Sequence, residues 1–154
     1  IHEVADDNKV IRYCSNIILN SIVSEMSGRA RSFGVEMRCD IILPKKLPVK
    51  DYEFASVIAN LLENAIIHVK DLKEDKRYVD VKIHCEKDHL LVEIKNPCEK
   101  EIIFDPVTGL PRSKKGGYHG LGMQSVSSFS HKIGGNIGCF CEGGIFKILL
   151  FAKF

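Results

Sequence analysis

Three polar residues spaced four apart, Asn60, Asn64 and His68, interrupt a strongly apolar stretch of the chain. Residues at this spacing lie in one row along a helix, and Glu63 would lie just beside that row. An unsatisfied carboxamide at the edge of a buried face costs on the order of 1–3 kcal/mol. A single asparagine would more simply bond to backbone, but two asparagines and a glutamate in register favour a ligand site. Their oxygens are hard ligands that suit Mg²⁺ bridging the phosphates of a nucleotide.

A second segment with possible chemistry is rich in glycine and runs from Gly116 to Gly122. Glycines let a backbone approach phosphates closely, and the first amides of a helix are unpaired donors at the positive end of its dipole. Lys114 and Lys115 lie just upstream and could add positive charge. The P-loop and GxGxxG patterns are both absent. By itself, therefore, the segment indicates a flexible lid as readily as a phosphate cradle.

Three helices are predicted to carry these residues. Apolar residues from Lys9 to Arg31 recur every three or four positions, which predicts an amphipathic helix that Gly34 ends. Asp51 is a plausible N-cap of a second, largely buried helix that runs to about Lys70 and holds the polar row. The third helix is predicted from Leu121 to Ile133, directly after the glycines.

Alternating apolar and polar residues predict five strands. These are Val35–Ile41, Val79–Cys85, Leu90–Ile94, Ile137–Cys141 and Ile145–Phe151. The last is apolar on both faces, which predicts a central position in the sheet. The order of elements predicts an α+β two-layer sandwich, with three helices packed on a mixed, mostly antiparallel sheet of about five strands.

The stretch from Asn96 to His119 contains several prolines and glycines and has no clean periodicity. Loops of this length are typical of functional lids or disordered segments. We expect this lid to be unordered in the absence of nucleotide.

Length and composition limit the class of protein. The chain has 154 residues, of which 45% are hydrophobic and 27% charged, as in an ordinary globular domain. A formal net charge of +2 gives no electrostatic case for nucleic-acid binding. No apolar run has the length of a membrane span, and no signal-peptide pattern is present. We interpret residues 1–8 as an edge or linker segment and residues 9–154 as a single domain. Because Ile1 rather than Met is first, we expect a fragment of a longer protein.

Six cysteines raise the question of a disulfide or metal site. They are Cys14, Cys39, Cys85, Cys98, Cys139 and Cys141. No pair has the two-residue spacing of a zinc knuckle. In Cys139-Phe140-Cys141 the two thiols would point to one face of a strand, which indicates packing. The sequence predicts reduced cysteines that behave as small apolar residues in a cytoplasmic protein.

Several of these motifs resemble a known family. Asn60–Ala65 resembles the N box of the GHKL, or Bergerat-fold, ATPases, and Gly117–Gly122 resembles their second glycine box. The resemblance is strongest to the catalytic and ATP-binding domain of sensor histidine kinases, in the branch of peptide-pheromone and citrate sensors. Phe104–Pro106 and Gly109–Pro111 support that branch, and the similarity extends from about Arg12 to Phe151. The resemblance implies the Bergerat fold with a long ATP lid.

The resemblance implies that ATP and Mg²⁺ are the cofactors. Asn64 would coordinate Mg²⁺, and Asn60, one turn earlier, would line the phosphates. In relatives that use water, the earlier position holds a glutamate that acts as general base. Asn60 cannot take a proton, which favours transfer to a protein acceptor over hydrolysis. Glu63 would either polarise an incoming imidazole or orient Asn64.

The sequence departs from the family pattern at two places. Asn96 stands where the first glycine box normally has an aspartate that accepts from the adenine amino group, and the glycines of that box are missing. The basic residue expected three positions after Asn64 is Ile67 here. Lys70, Lys114, Lys115 or His119 would have to supply that charge. The other implied nucleotide-binding residues are His68, Lys115, Gly117, His119, Gly120, Leu121 and Gly122.

The function implied by the resemblance is that of the catalytic domain of a two-component histidine kinase. It would transfer the γ-phosphoryl group of Mg-ATP to a histidine on a dimerisation module absent from this chain. Its partners would be that module and a response regulator, without nucleic acid or direct membrane contact. The domain would lie in the cytoplasm, in a parent protein anchored to the membrane. Two alternatives stay open: an interaction module that no longer binds nucleotide, and a serine kinase of the anti-sigma-factor type, against which Asn96-Pro97 counts.

Overall fold

The computed structural model describes residues 12–99, 102–111 and 118–154, with only the backbone described for 118–121. Three helices are present in these ranges: α1 (Ile17–Ser32), α2 (Asp51–Val69) and α3 (Tyr118–Lys132). The strands are β1 (Glu36–Ile42), β2 (Tyr78–Glu86), β3 (His89–Pro97), β4 (Asn136–Glu142) and β5 (Ile145–Lys153). A short 3₁₀ turn, Glu74–Lys76, precedes β2. No helix within the described ranges is long and apolar enough to cross a bilayer.

The five strands form one sheet in the order β1-β2-β3-β5-β4. β1 pairs with β2 in parallel, and the other three pairings are antiparallel. The central position predicted for the last strand is confirmed, because β5 lies between β3 and β4. The predicted fold class, three helices on a mixed and mostly antiparallel sheet, is also confirmed.

The core lies between the helices and one face of the sheet. α2 is the middle helix, in contact with α1, α3, β2 and β3. Its apolar arc is buried as the spacing predicts, and nine of its residues are inaccessible to solvent. They are Phe54, Ala55, Val57, Ile58, Leu61, Leu62, Ala65, Ile66 and Val69. Because α2 is packed on so wide an arc, the packing of its neighbours also determines what lies beside the polar row on its edge.

The helices begin at positions different from those predicted. α1 starts at Ile17 because the Asn16 side chain accepts from the Leu19 amide at 3.0 Å, a capping bond that the periodicity alone did not indicate. Residues 12–16 are not helical, and the predicted start at Lys9 lies outside the described residues. Asp51 is the first helical residue rather than the N-cap, and its carboxylate accepts from Asn16 Nδ2 at 3.3 Å.

Two helices end in the same way, at a glycine with positive φ. After α1, Gly34 has φ 69° and its amide donates to the Arg31 carbonyl at 2.9 Å, while Val35 donates to the Ala30 carbonyl at 2.9 Å. This pair of bonds is the Schellman motif, which a glycine adopts without the strain of a Cβ. Gly134 ends α3 in the same conformation, with φ 70°. The predicted end of the first helix at Gly34 is confirmed.

Two other glycines should respond to alanine in opposite directions. At Gly135 an added Cβ would lie 2.8 Å from the Phe151 carbonyl oxygen, so Gly135→Ala should lower the unfolding free energy by about 1–3 kcal/mol. At Gly28, inside α1, the nearest atom to such a Cβ is Arg31 Nη2 at 3.9 Å, and the substitution should stabilise by about 0.5–1 kcal/mol. Urea unfolding of both variants measures the two effects. Equal stabilities would contradict the close packing of Gly135.

Candidate functional site

The polar row on α2 faces the start of α3. Asn60, Glu63 and Asn64 are half-buried, whereas His68 is exposed at the end of the row. The helices meet at Asn64, whose Nδ2 donates to Met123 Sδ at 3.7 Å. Asn64, the middle residue of the polar row, therefore lies beside the entry to the third helix, as the resemblance to the GHKL family implies.

Gly122 of α3 lies at the point where α2 and α3 meet. A Cβ added to Gly122 would lie 3.9 Å from Asn64 Nδ2, so the backbone of α3 passes close to the carboxamide. Because Nδ2 donates to Met123 Sδ, the assigned orientation of the amide leaves its Oδ1 as the acceptor for a ligand. The Asn64 carboxamide therefore lies next to the N-terminal turns of α3.

The opposite end of the site is formed by Asn96, the last inward-facing polar residue of β3. Asn96 is 2% exposed, and its Nδ2 donates to the Pro97 carbonyl at 2.9 Å. This bond assigns Oδ1 as the remaining acceptor of the side chain. Phe146 lies opposite Asn96 in the register of β3 and β5. A buried carboxamide beside an aromatic ring is suited to a planar ligand that carries a hydrogen-bond donor.

Two further rings gather around Phe146. The His68 ring lies nearly parallel to that of Phe146, with centroids 6.3 Å apart and planes at 15°. The Phe104 ring lies 6.4 Å from that of Phe146 at 34°. His68, at the end of the polar row, is thus brought to the Asn96 side of the site. The aromatic cluster thus connects His68, one turn after Asn64 on α2, to the strand position opposite Asn96.

Phe104 belongs to a closed turn that the sequence analysis did not predict. Residues 102–111 form a short loop in which Phe104 and Pro111 pair as an isolated bridge. Asp105 Oδ1 accepts from the amides of Val107 at 2.8 Å and Thr108 at 3.1 Å. Such a turn positions Phe104 toward the sheet. Of the rest of the predicted lid, residues 100, 101 and 112–117 lie outside the described residues, whereas Asn96 and Pro97 belong to β3 and Tyr118 and His119 to α3.

Glu63 has a partner on the neighbouring helix. Its Oε1 lies 3.2 Å from Arg29 Nη1, and both side chains are about half exposed, at 44% and 54%. A surface ion pair of this kind contributes little to stability, about 0–1 kcal/mol. The contact orients the carboxylate toward α1. The two roles considered for Glu63, polarising an imidazole or orienting Asn64, stay predictions.

Several predicted ligand residues lie in the glycine-rich segment. Lys114, Lys115 and Gly117 lie outside the described residues. His119, Gly120 and Leu121 are in the first turns of α3, of which the backbone alone is described. α3 begins at Tyr118, three residues before the predicted start, so these residues contribute the free amides of a helix N-terminus.

The residues that connect the parts of the site are not evident from the sequence. Phe146 belongs to an apolar strand pattern and Met123 to a helix pattern, and neither pattern indicates a ligand. An aromatic residue directly opposite Asn96 is visible only when the register of β3 and β5 is known. For Phe104 the sequence does contain a signal, because Phe104–Pro106 is one of the segments that resemble the family.

Helices layered on one face of a mixed sheet, with an asparagine row on the middle helix and a glycine-rich entry to the next, define a class of nucleotide-binding domain. The family model described as "GHKL domain" matches residues 49–151. The chain belongs to the GHKL domain family. No curated protein matches the chain in sequence.

Solved structures of histidine kinases share the fold. Full-length ShkA in complex with AMPPNP is 20% identical, with a TM-score of 0.66, over 88% of this chain and 29% of ShkA. The catalytic domain of ThkA is 12% identical, with a TM-score of 0.65, over 88% of this chain and 89% of that domain. The mycobacterial sensor histidine kinase MprB is 15% identical, with a TM-score of 0.61, over 88% of this chain and 93% of that structure. The chain therefore spans under a third of ShkA and has the Bergerat fold of these catalytic domains.

Proposed function

We propose that the chain is the ATP-binding catalytic domain of a two-component sensor histidine kinase of the peptide-pheromone and citrate-sensor type. It transfers the γ-phosphoryl group of Mg-ATP to a histidine on a dimerisation module of its parent protein. A response regulator is the next partner of that module. The similarity to histidine kinase structures, one of them in complex with AMPPNP, supports this proposal. We place the domain in the cytoplasm, in a parent protein anchored to the membrane.

The observation that carries the proposal is the approach of Asn64 to the N-terminal turns of α3. The carboxamide is 3.7 Å from Met123 Sδ, and Gly122 leaves room beside it. Phosphates seated here would meet the free amides and the positive dipole end of a 15-residue helix. This arrangement suits an anion held beside a hard oxygen ligand.

The residues present fit Mg²⁺ delivered with a nucleotide. Within the described ranges no three His, Cys, Asp or Glu side chains cluster as a metal cage. Mg²⁺ typically keeps several waters and is bound by one or two protein oxygens together with substrate phosphates. Asn64 Oδ1 would hold the ion, which when bound neutralises charge on the phosphates. Asn60, one turn away on the same side, would donate from its Nδ2 to a phosphate oxygen.

Asn60 also bears on what receives the phosphoryl group. A carboxamide has no proton-accepting role near neutral pH, so this position cannot activate water. Catalysis would therefore rest on positioning and on charge stabilisation by the α3 amides. The acceptor would be a nucleophile brought by the partner module.

Phosphotransfer in trans tests the proposal. The chain is mixed with the dimerisation module of its parent protein and γ-labelled ATP, and the product is tested for stability in acid and in base. We expect an acid-labile, base-stable phosphohistidine that needs both components. Acid-stable phosphoserine on a partner would instead indicate the serine-kinase class. The absence of nucleotide binding at millimolar Mg-ATP would indicate an interaction module.

Asn96 should determine the preference for adenine. Its Oδ1 would accept from the amino group of adenine, whereas guanine presents a carbonyl at that place. Asn96→Ala should raise the Kd of Mg-ATP roughly tenfold and leave that of Mg-GTP nearly unchanged, as expected for the loss of one buried hydrogen bond. Calorimetry with both nucleotides measures the ratio, and exposed Asn136 on β4 gives the control Asn136→Ala. An equal loss for both nucleotides would place Asn96 outside base recognition.

A further inference from the structure

Two cysteines near the Asn96 end of the site lie in contact with each other. Cys98, one residue after β3, and Cys141, on β4, have their Sγ atoms 3.2 Å apart. The two residues are 43 positions apart in the sequence, so no spacing motif could have indicated the contact. Cys141 was expected to be a packing residue, but it is exposed to solvent. Thiols this close and this accessible are placed for oxidation.

The backbone holds the pair in place. The Cys98 amide donates to the Gly144 carbonyl at 2.8 Å, which fixes the chain leaving β3 against the hairpin between β4 and β5. Cys141 is paired in register with Phe146 of β5. A disulfide has an S–S length of about 2.05 Å, so closure requires the sulfurs to approach by about 1.2 Å. Cys141 is exposed and Cys98 is half-buried, so rotation of the Cys141 side chain has room to contribute to this movement.

We propose that Cys98 and Cys141 form a reversible disulfide under peroxide, and that this bond regulates the nucleotide site. The thiolate of Cys141 attacks a peroxide oxygen, giving a sulfenic acid and hydroxide. The Cys98 sulfur then attacks that sulfenic sulfur, the S–O bond breaks, and the Cys98 proton leaves with the oxygen as water. In sum, two thiols and one hydrogen peroxide give one disulfide and two waters.

The environment assigns the order of these steps. Burial and the neighbouring Cys141 raise the pKa of the Cys98 thiol to about 11, so Cys98 is protonated near neutral pH. Cys141 is the more exposed of the two and meets an oxidant first. Burial raises the pKa of Cys39 to about 11 and that of Cys139 to about 12, so neither thiol supplies much thiolate for the first step near neutral pH.

The bond would act on the base end of the site, and this half of the proposal rests on the proposed function. Cys98 follows Asn96 by two residues, and Cys141 is opposite Phe146. A displacement on the order of 1 Å at either one disturbs the geometry that a bound base requires. We expect the oxidised chain to bind Mg-ATP at least about threefold more weakly, with recovery after reduction.

Mass spectrometry of the peroxide-treated chain tests the disulfide without nucleotide. We expect the loss of two hydrogen atoms, a peptide linking Cys98 to Cys141, and a Tm raised by roughly 5–10 °C that dithiothreitol reverses. Cys98→Ser and Cys141→Ser should lose the linked peptide, whereas Cys139→Ser, two residues away on β4, should keep it. Linkage through other cysteines, or sulfinic acid without linkage, would overturn the proposal.

Calorimetry on the oxidised and re-reduced chain tests the regulatory half. A threefold or larger reversible change that Cys141→Ser abolishes supports it. A linked chain that binds Mg-ATP as tightly as the reduced chain overturns the regulation, while the linked peptide itself stands. If the reduced chain binds no nucleotide, the proposed function fails, and the mass measurement still decides whether the pair closes.

Discussion

Asn64→Ala is expected to raise the Kd of Mg-ATP by roughly 10- to 100-fold, the range typical for the loss of a contact that supports a metal. Asn64 is half-buried on α2 beside Gly122 and Met123 of α3, and because its Nδ2 donates to Met123 Sδ, its Oδ1 is the acceptor that we assign to the ion. Removing that oxygen takes away the one described side chain that we assign to Mg²⁺. Calorimetry of the parent chain and the variant measures the difference.

Three controls make the result specific to the metal. Without Mg²⁺, in the presence of EDTA, the parent chain and Asn64→Ala should bind ATP alike, because the effect acts through the ion. Gln124→Ala, at an exposed carboxamide on α3, should bind as the parent chain does. Thermal unfolding should show that Asn64→Ala is folded, since the lost bond to Met123 Sδ is a weak one. Equal affinities for Mg-ATP would show that Asn64 is not the metal ligand.

Phe54→Ala is expected to lower the unfolding free energy by about 3–5 kcal/mol. Phe54 is fully buried in the first turns of α2, and its ring lies 6.0 Å from that of Phe129 on α3 at 32°. The truncation leaves a cavity at the joint between two helices and removes an aromatic pair. For a domain of this size the Tm should fall by about 10 °C.

Urea and thermal unfolding measure the effect of Phe54→Ala, with Tyr52→Ala as the matched control. Tyr52 is an aromatic residue of the same turn with 64% of its surface exposed, so its truncation should change stability by less than about 0.5 kcal/mol. Because α2 also carries the polar row, the Phe54 variant should bind Mg-ATP more weakly near its Tm and nearly normally well below it. Equal stabilities of the two variants would contradict the packing of α2 against α3.

Much of the fold follows from local patterns in the sequence. The apolar arc of α2, the stop at Gly34 and the alternation in β2 and β3 each depend on residues close in the chain. The pattern of β5, apolar on both faces, correctly predicts its central place. The predicted helix starts were less accurate. The cap at Asn16 forms through a single side-chain hydrogen bond, which the periodicity of apolar residues does not indicate.

Some candidate site residues are likewise predictable from local patterns in the sequence, and others are not. Asn60 and Asn64 share one helix, so their spacing alone places them in one row. The proximity of Asn64 to Gly122, by contrast, depends on how two helices pack against each other. The role of Asn96 could be suggested only by resemblance to a family, since the residues adjacent to it in the sequence form no pattern that indicates a ligand.

The polar row on α2 and the glycine-rich entry to α3 can thus be predicted from the sequence, because each depends on residues that are close together in the chain. The tertiary structure alone placed Phe146 opposite Asn96, His68 over Phe146, and the sulfurs of Cys98 and Cys141 at 3.2 Å. Each of these depends on the register of β5 between β3 and β4, and register is decided by which faces of all the strands become buried together.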